Sequence, residues 1–412
     1  MRRPRTVTAL LTATFALAAA GTAAADSIVY IKGHNVWIAN PDGTGARAVT
    51  TDGEEDWPYR SPSMADNGLI SAGHGTDIVQ LDQQGNELAE FPPKIPENSA
   101  SFGGLPPQDI AVTPDGSKVA YTIYGYSCLP GASCGTRQVT GYMSANGKQD
   151  YGYEFSLTSP EWISNNAIIG FGGFGKNVMF DAPNSGDYDA KTWFNDYADR
   201  DISDGELSRQ RDRLAVLRDY GPDYHLMIYK VNGLTAEPEL ACNTGAEETL
   251  NDPSWSPDGK RIAFAHKDGI EILGLPNVVP NDCPGAQSGK VVLPGGSEPD
   301  WGPAQVQPRY EISADVVKGT KLAKALKKGL KLWVKTNVAG TLAGDIKVGK
   351  KKVGAGSADL SPGKGKIKFS FTKKAKKKYA ERDSSLKVFV DLMFKPRVGL
   401  AFPVSGTLEV KP

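Results

Sequence analysis

Three observations predict an all-β protein. Between residues 26 and 308, short apolar runs alternate with clusters of Gly, Pro, Asn, Asp and Ser. One such unit of run and turn recurs at a period near fifty residues. Residues 309–412 alternate apolar with basic positions, the pattern of half-buried strands. At 412 residues the chain is too long for one ordinary sandwich. The expected architecture is a six-bladed β-propeller closed by both ends of the repeat region, followed by a small β-sandwich. The expected boundaries are 1–25 for an export signal, 26–305 for the propeller and 306–412 for the sandwich.

The chain opens Met-Arg-Arg-Pro-Arg, runs apolar from Val7 through Ala20, and reaches Gly21-Thr-Ala-Ala-Ala before Asp26. A basic start, a short apolar stretch and an A-x-A cleavage sequence make an export signal and not a membrane anchor. No cysteine stands at the cleavage point to carry a lipid, and Pro4-Arg5-Thr6 continues the twin arginine poorly. General secretory export is therefore expected, to an extracellular or cell-envelope location, with no transmembrane segment once the signal is removed. Four cysteines in an exported chain favour disulfides over zinc. Cys128 and Cys134 enclose a tight loop that one bridge closes, which leaves Cys242 with Cys283; three connectivities are formally open. The four histidines, His34, His74, His225 and His266, do not have zinc-ligand spacing.

The 47 basic and 47 acidic residues cancel only globally. Residues 309–412 hold 25 basic and 8 acidic side chains, whereas residues 26–308 hold 19 and 39. Neutrality excludes a generally polycationic nucleic-acid binder and an acidic disordered tail, and the segregation is itself an interaction signal.

The repeat elements follow in order. Ser27–Ile31, Val36–Asn40 and Arg47–Thr50 read as three strands without an innermost partner. A degenerate copy then places Arg60 in an anchor slot that Val112, Trp162, Leu207, Trp255 and Trp301 fill later, at spacings of 45 to 52 residues. The clearest copy is Asp252-Pro-Ser-Trp-Ser-Pro-Asp-Gly-Lys-Arg-Ile-Ala-Phe-Ala-His, followed by Asp268-Gly-Ile-Glu-Ile-Leu. Weaker copies begin at Asp109, at Glu161 and at Glu206, the last with Ser-Arg-Gln-Arg in place of the turn. In Pro-Asp-Gly the proline presets a turn, the aspartate bonds to local backbone and the glycine takes a positive φ. Ser297–Pro303 supplies an innermost strand and stops, so both chain ends combine into one blade and no sheet edge is left exposed. Seven blades follow instead if Phe180–Ser208 contains another. These residues resemble the TolB-type, WD-repeat-like propeller family, whose repeats read P-x-W-S-P-D-G-x-x-I-A-F. The resemblance covers roughly residues 27–305 and implies the propeller.

Blades that run the same way round start their innermost strands at one mouth of the central channel. Carboxylates stand three or one residue before each anchor, at Asp109, Glu161, Asp204, Glu206, Asp252, Glu298 and Asp300, offsets that share a strand face. Asp56 stands four before Arg60, which puts the register of that copy in question by one residue. Such a ring repels itself unless a cation, a basic peptide or water relieves it; a solvated rim is the alternative. Gly170-Phe-Gly-Gly-Phe-Gly matches G-x-G-x-x-G but leads into a strand, so no helix N-terminus receives a dinucleotide. Asp196–Glu206 is rich in oxygen ligands yet breaks the EF-hand register; a looser calcium site stays open, and no other metal or cofactor is expected. No G-x-S-x-G occurs, and no histidine has an evident Ser or Asp partner, so no catalytic residue is assigned.

In the tail, Leu330–Lys335, Lys366–Phe371, Ser385–Met393 and Ser405–Val410 read as strands, and Lys373–Lys378 as a brief helical turn. The stretches Leu322-Ala-Lys-Ala-Leu-Lys-Lys-Gly-Leu-Lys-Leu and Val338-Ala-Gly-Thr resemble the immunoglobulin-like or fibronectin-like sandwiches appended to secreted actinobacterial proteins. Its lysines suit an anionic cell-wall polymer, lipid headgroups, plain solubility, or docking on the acidic propeller. The export signal, the few arginines, and Trp333, Phe369 and Phe371 on core strands argue against nucleic acid. The function expected is a secreted, non-catalytic binding or scaffold protein of the cell envelope whose channel mouth takes a protein, peptide or cation. The alternative is a propeller lyase or hydrolase acting on cell-wall polysaccharide through the channel carboxylates.

Overall fold

The computed structural model describes residues 26–95, 104–128, 134–155, 157–172, 177–181, 191–195, 202–219, 224–247, 250–317, 320–397 and 400–412. The export signal expected over 1–25 lies outside them, as does much of the calcium candidate 196–206. Strands β1 (Ser27–Lys32), β2 (Asn35–Ala39) and β3 (Arg47–Ala48) come first. Five antiparallel four-stranded sheets, each contiguous in sequence, follow. The first is β4 (Tyr59–Met64), β5 (Ile70–His74), β6 (Asp77–Leu81) and β7 (Glu87–Phe91). The second is β8 (Gln108–Val112), β9 (Lys118–Cys128), β10 (Cys134–Ser144) and β11 (Asp150–Glu154). The third is β12 (Leu157–Ser164), β13 (Ala167–Gly172), β14 (Asn177–Asp181) and β15 (Lys191–Asn195). The fourth is β16 (Ile202–Leu207), β17 (Arg213–Asp219), β18 (Tyr224–Lys230) and β19 (Glu239–Glu247). The fifth is β20 (Asn251–Trp255), β21 (Arg261–His266), β22 (Gly269–Gly274) and β23 (Gln287–Pro294). Strand β24 (Ser297–Gly302) then pairs with β1, giving a sheet ordered β24-β1-β2-β3 from both ends of the repeats.

The sheets form a propeller-like arrangement. Innermost strands β4, β8, β12, β16, β20 and β24 lie side by side in that order around a channel, and β24 returns to lie beside β4. Local chemistry builds each hairpin. At Ser256-Pro-Asp-Gly, the Ser256 hydroxyl donates to Asp258 Oδ1 at 2.6 Å, the Lys260 amide donates to the same oxygen at 3.1 Å, and Gly259 sits at φ +66. The anchor tryptophans wedge between sheets: Trp255 is buried with the apolar faces of β17, β18, β21 and β22, and its Nε1 donates to the Glu206 carbonyl on the preceding sheet at 3.1 Å.

Cys242 on β19 is bonded to Cys283 in the loop before β23, with the Cα atoms 5.8 Å apart. Closing a loop of 41 residues stabilises by about 4 kcal/mol on a chain-entropy estimate. Cys128 and Cys134 face each other as strand partners at the tip of the β9–β10 hairpin; their side chains lie outside the described residues.

The C-terminal region departs from the expected two-sheet sandwich. Strands β25 (Ile312–Val316), β26 (Leu330–Thr336), β27 (Gly340–Val348), β28 (Lys351–Leu360), β29 (Gly363–Phe371), β30 (Leu386–Pro396) and β31 (Phe402–Val410) form one antiparallel sheet, ordered β25-β26-β29-β28-β27-β30-β31 and nearly closed into a barrel. Helices α1 (Leu322–Lys328) and α2 (Lys373–Tyr379) pack Leu326, Ala375 and Tyr379 onto its core of Leu332, Val334, Ile367, Phe369 and Phe394. Glycines explain the curl. A Cβ on Gly344 would lie 2.3 Å from the Asp391 carbonyl, and one on Gly354 would lie 2.5 Å from that of Ser370. The backbones therefore approach so closely that the same strands serve both sides of one core. Those glycines also interrupt the apolar alternation of β27 and β28, which is why neither strand is legible in sequence.

Candidate functional site

Each innermost strand carries the same irregularity. The pairing register slips between Arg60 and Ser63, Gln108 and Ala111, Thr158 and Glu161, Ser203 and Gly205, and Asn251 and Ser254, and where β24 meets β1. At these bulges Ser61, Asp109, Ser159, Asp204, Asp252 and Glu298 have φ between 43 and 52. A positive φ costs roughly 1–3 kcal/mol in a residue with a side chain, so recurrence at every innermost strand marks a position the ring requires. The next residue is Pro62, Pro160, Pro253 or Pro299 in four cases, since a bulge takes its N–H out of the ladder and a missing donor there costs nothing. The bulge brings the side chains three and one before the anchor to one cavity.

That cavity gathers Asp109, Glu161, Asp204, Glu206, Asp252, Glu298 and Asp300 with Ser61, Ser63, Ser159 and Ser254. All seven carboxylates at the expected offsets converge. Asp56 does not. It is exposed in the turn between Glu54 and Trp57, and the anchor of its sheet is Met64 instead of Arg60, 48 residues before Val112. Ser61 and Ser63 occupy the two ring positions of that strand.

Most of the ring is a set of ties between neighbouring sheets. Asp204 Oδ2 accepts the Asp252 amide at 2.8 Å, Glu206 Oε2 the Trp255 amide at 2.9 Å, and Asp300 Oδ2 the Met64 amide at 2.6 Å. Glu298 accepts the Ser61 amide. Ser61, Ser63 and Ser254 do the same work for Asp109, Val112 and Trp301, at 3.0, 3.1 and 2.9 Å. Asp109 Oδ2 accepts the Tyr124 and Ser159 hydroxyls at 2.8 and 3.2 Å. Among the described residues, nothing donates a hydrogen bond to the carboxylates of Glu161 and Asp252. They are the two ring acids not committed to holding the ring.

Enclosure pushes every ring carboxyl above its ordinary range, with neighbouring negative charge adding to the effect for several. Burial, then the charge of Asp109, raises Asp204 to about 7. Burial, then Asp300, raises Glu206 to about 8. Glu161 and Asp252 lie well above normal for the same two reasons, with Glu206 and Asp204 respectively the strongest repelling charges. The cavity leaves ≈ 80 Å³ for the centres of water-sized groups. At about 10–15 Å³ per water this is room for a small cluster of waters or one cationic end group. Among the described residues no three acidic, His or Cys side chains come together as a metal site.

Sequence reasoning passed over Arg209. It sits in the irregular Ser208-Arg-Gln-Arg turn beyond anchor Leu207, beside a second cavity that shares Glu161, Glu206 and Asp300 with the first. Its guanidinium donates twice to Asp66, at 3.0 and 2.5 Å, from the sheet of β16 to that of β4 across the channel. Burial works against its charge, but the Asp66 bond and the charges of Asp66, Glu206 and Asp300 outweigh it. The available signal was a basic Ser-Arg-Gln-Arg turn where the repeats at Val112 and Trp255 have Pro-Asp-Gly.

No known protein family and no curated protein matches the chain. Among solved structures it is similar to an oligogalacturonate lyase in complex with manganese, 11% identical over 58% of this chain and 68% of that one, TM-score 0.39. It is also similar to the periplasmic gluconolactonase of Pseudomonas aeruginosa, 9% identical over 67% and 98%, TM-score 0.42. A protein from Lactobacillus plantarum gives 10% identity over 67% and 98%, TM-score 0.40. Likeness at this level says nothing of activity. No helix among the described residues is long and apolar enough to cross a membrane.

Proposed function

We propose that this chain is a secreted, non-catalytic, six-bladed propeller of TolB type, with the composite β24-β1-β2-β3 sheet as sixth blade, and that its channel captures a cationic end group of an envelope peptide or protein. The observation that carries the reading is the pair Glu161 and Asp252, enclosed acids without a donor among the described residues, in a ring whose other acids are tied. An ammonium or guanidinium relieves their repulsion directly. The chain already presents a guanidinium, Arg209, to Glu206 and Asp300 from the turn side. Calorimetry of the full chain with short peptides ending in Lys or Arg, against acetyl-lysine and citrulline counterparts, tests the reading. Affinity is expected for the cationic forms alone, weakened about tenfold or more by Glu161→Gln with Asp252→Asn, which is about 1.4 kcal/mol. Equal binding of neutral and cationic peptides, or no effect of the double variant, sinks it.

A second reading has one observation behind it. Carboxyls that hold protons near neutral pH, as Glu206 does at about 8, are the equipment of general acid catalysis, and a lyase or hydrolase of cell-wall polysaccharide would use them. The narrow channel favours capture of an end group over enclosure of a sugar ring. Release of reducing or unsaturated ends from wall polysaccharide by the wild-type chain, lost in Glu206→Gln, would establish the enzyme instead.

A further inference from the structure

Five of the 25 basic residues of 309–412 stand in register on one face. Strands β26 and β29 pair so that Lys331 stands opposite Lys368, Lys335 opposite Lys364, and Trp333 opposite Lys366. All of these lysines are exposed, while Leu330, Leu332, Val334, Ile367 and Phe369 between them are buried in the barrel core. Trp333 is half-buried on the outer side, with the Lys364 and Lys366 ammoniums 4.5 and 4.0 Å from its ring centroid. Among the described residues, none of the five lysines makes an ion pair. Those of the barrel, among the described residues, are Lys347 with Asp391 and Lys352 with Asp345. Asp315 on β25 stands opposite Trp333.

Like charges directly opposed across antiparallel strands destabilise the sheet. Two such pairs, and two ammoniums gathered on one ring, are not what solubility alone requires, since lysines placed anywhere on the surface serve that equally. The cation–π contacts hold two ammoniums in place, so less ordering cost remains when an anion arrives. Alternate residues on a strand repeat at about 6.6–6.8 Å, and paired strands lie about 4.8 Å apart. The face is therefore a two-column lattice of positive charge. A cavity of ≈ 690 Å³ bordered by Ser313, Asp315, Trp333, Lys335 and Lys364 opens beside it.

We propose that the outer face of β26 and β29 binds a linear phosphodiester polymer without bases, its phosphates bridging the lysine columns, with Lys364, Trp333 and Lys366 as the central seat. Lysine serves phosphate as a point charge. A nucleic acid fits less well, because two ammoniums already compete with a base for the Trp333 ring, and no arginine stands in the ladder. A lipid surface fits less well because the ladder exposes no apolar side chain; exposed Phe389 and Met393 lie on β30, three strands away.

The test uses the full chain and long-chain inorganic polyphosphate as probe. Binding is expected with affinity that falls linearly with salt on logarithmic axes. Lys364→Gln with Lys366→Gln should weaken it about tenfold and reduce the salt slope by roughly two charges, while Lys373→Gln with Lys374→Gln on α2 removes the same charge and should change affinity less than about twofold. Equal loss in the two double variants would mean bulk charge and overturn the proposal. So would stronger binding to anionic vesicles, or to a single-stranded oligonucleotide of equal charge.

Discussion

Asp252 and Asp300 line one cavity on neighbouring innermost strands, yet they differ in kind. Asp300 accepts the Met64 amide at 2.6 Å, so Asp300→Ala strands a donor and should cost about 1–3 kcal/mol in denaturant unfolding. Asp252 accepts nothing among the described residues, and Asp252→Ala should leave stability at pH 8 unchanged or raised. The same contrast sets the pH dependence. Asp204 and Glu206 bind protons more tightly in the folded chain, at about 7 and 8 against ordinary values of 3.8 and 4.5. From about pH 4 to 8 the folded state therefore holds protons that the unfolded state has released, so stability falls as pH rises through that window. The melting temperature should be higher at pH 5 than at pH 8, by about 2–4 °C per kcal/mol in a domain of roughly 200 residues. Glu206→Gln, which keeps an acceptor for the Trp255 amide, should flatten the profile. A melting temperature that climbs towards pH 8 would contradict the enclosure of these acids.

At the scale of the element, the bulged innermost strand is the repeating device. Its β16 version is the least like the rest, with Gly205 where four others have proline. Gly205 has φ +153, and a Cβ there would lie 2.2 Å from the Ala215 carbonyl on β17. Gly205→Ala should lower stability by about 1–3 kcal/mol and loosen Asp204 and Glu206 together, read as a lower melting temperature with a shifted pH profile. The β4 version shows what a lone sequence leaves hidden. Tyr59-Arg-Ser-Pro-Ser-Met lacks the tryptophan and the Pro-Asp-Gly turn, so spacing alone settles on Arg60, whereas the bulge at Ser61 puts Met64 in the slot. Cys242 with Cys283 was legible because the other two cysteines are so close in sequence. The two glycine-rich barrel strands were not.

At the scale of the molecule, the opposite charges of residues 26–308 and 309–412 suggest docking by attraction. Among the described residues the contacts are instead uncharged or to backbone. Gln83 accepts the Gln307 amide at 2.7 Å, Gln84 accepts that of Tyr310 at 2.8 Å, Arg309 donates to the Ala48 carbonyl at 3.0 Å, and Leu400 packs against Ala65, Leu69 and Val112. Small-angle scattering should therefore give the same compact dimensions at low and high salt; expansion with salt would restore the electrostatic account. What the sequence determined alone was the all-β class, the period near fifty, the combination of both repeat ends in one sheet, and the offsets that bring seven carboxylates together. These depend on alternation and turn chemistry written within a few residues. Which acids are tied and which are open, the Arg209 bridge to Asp66, and a barrel in place of a sandwich were decided only in three dimensions. Each depends on a partner far away along the chain, such as the Trp255 amide 49 residues beyond Glu206, and on bulges and close backbone approaches that set where that partner lies.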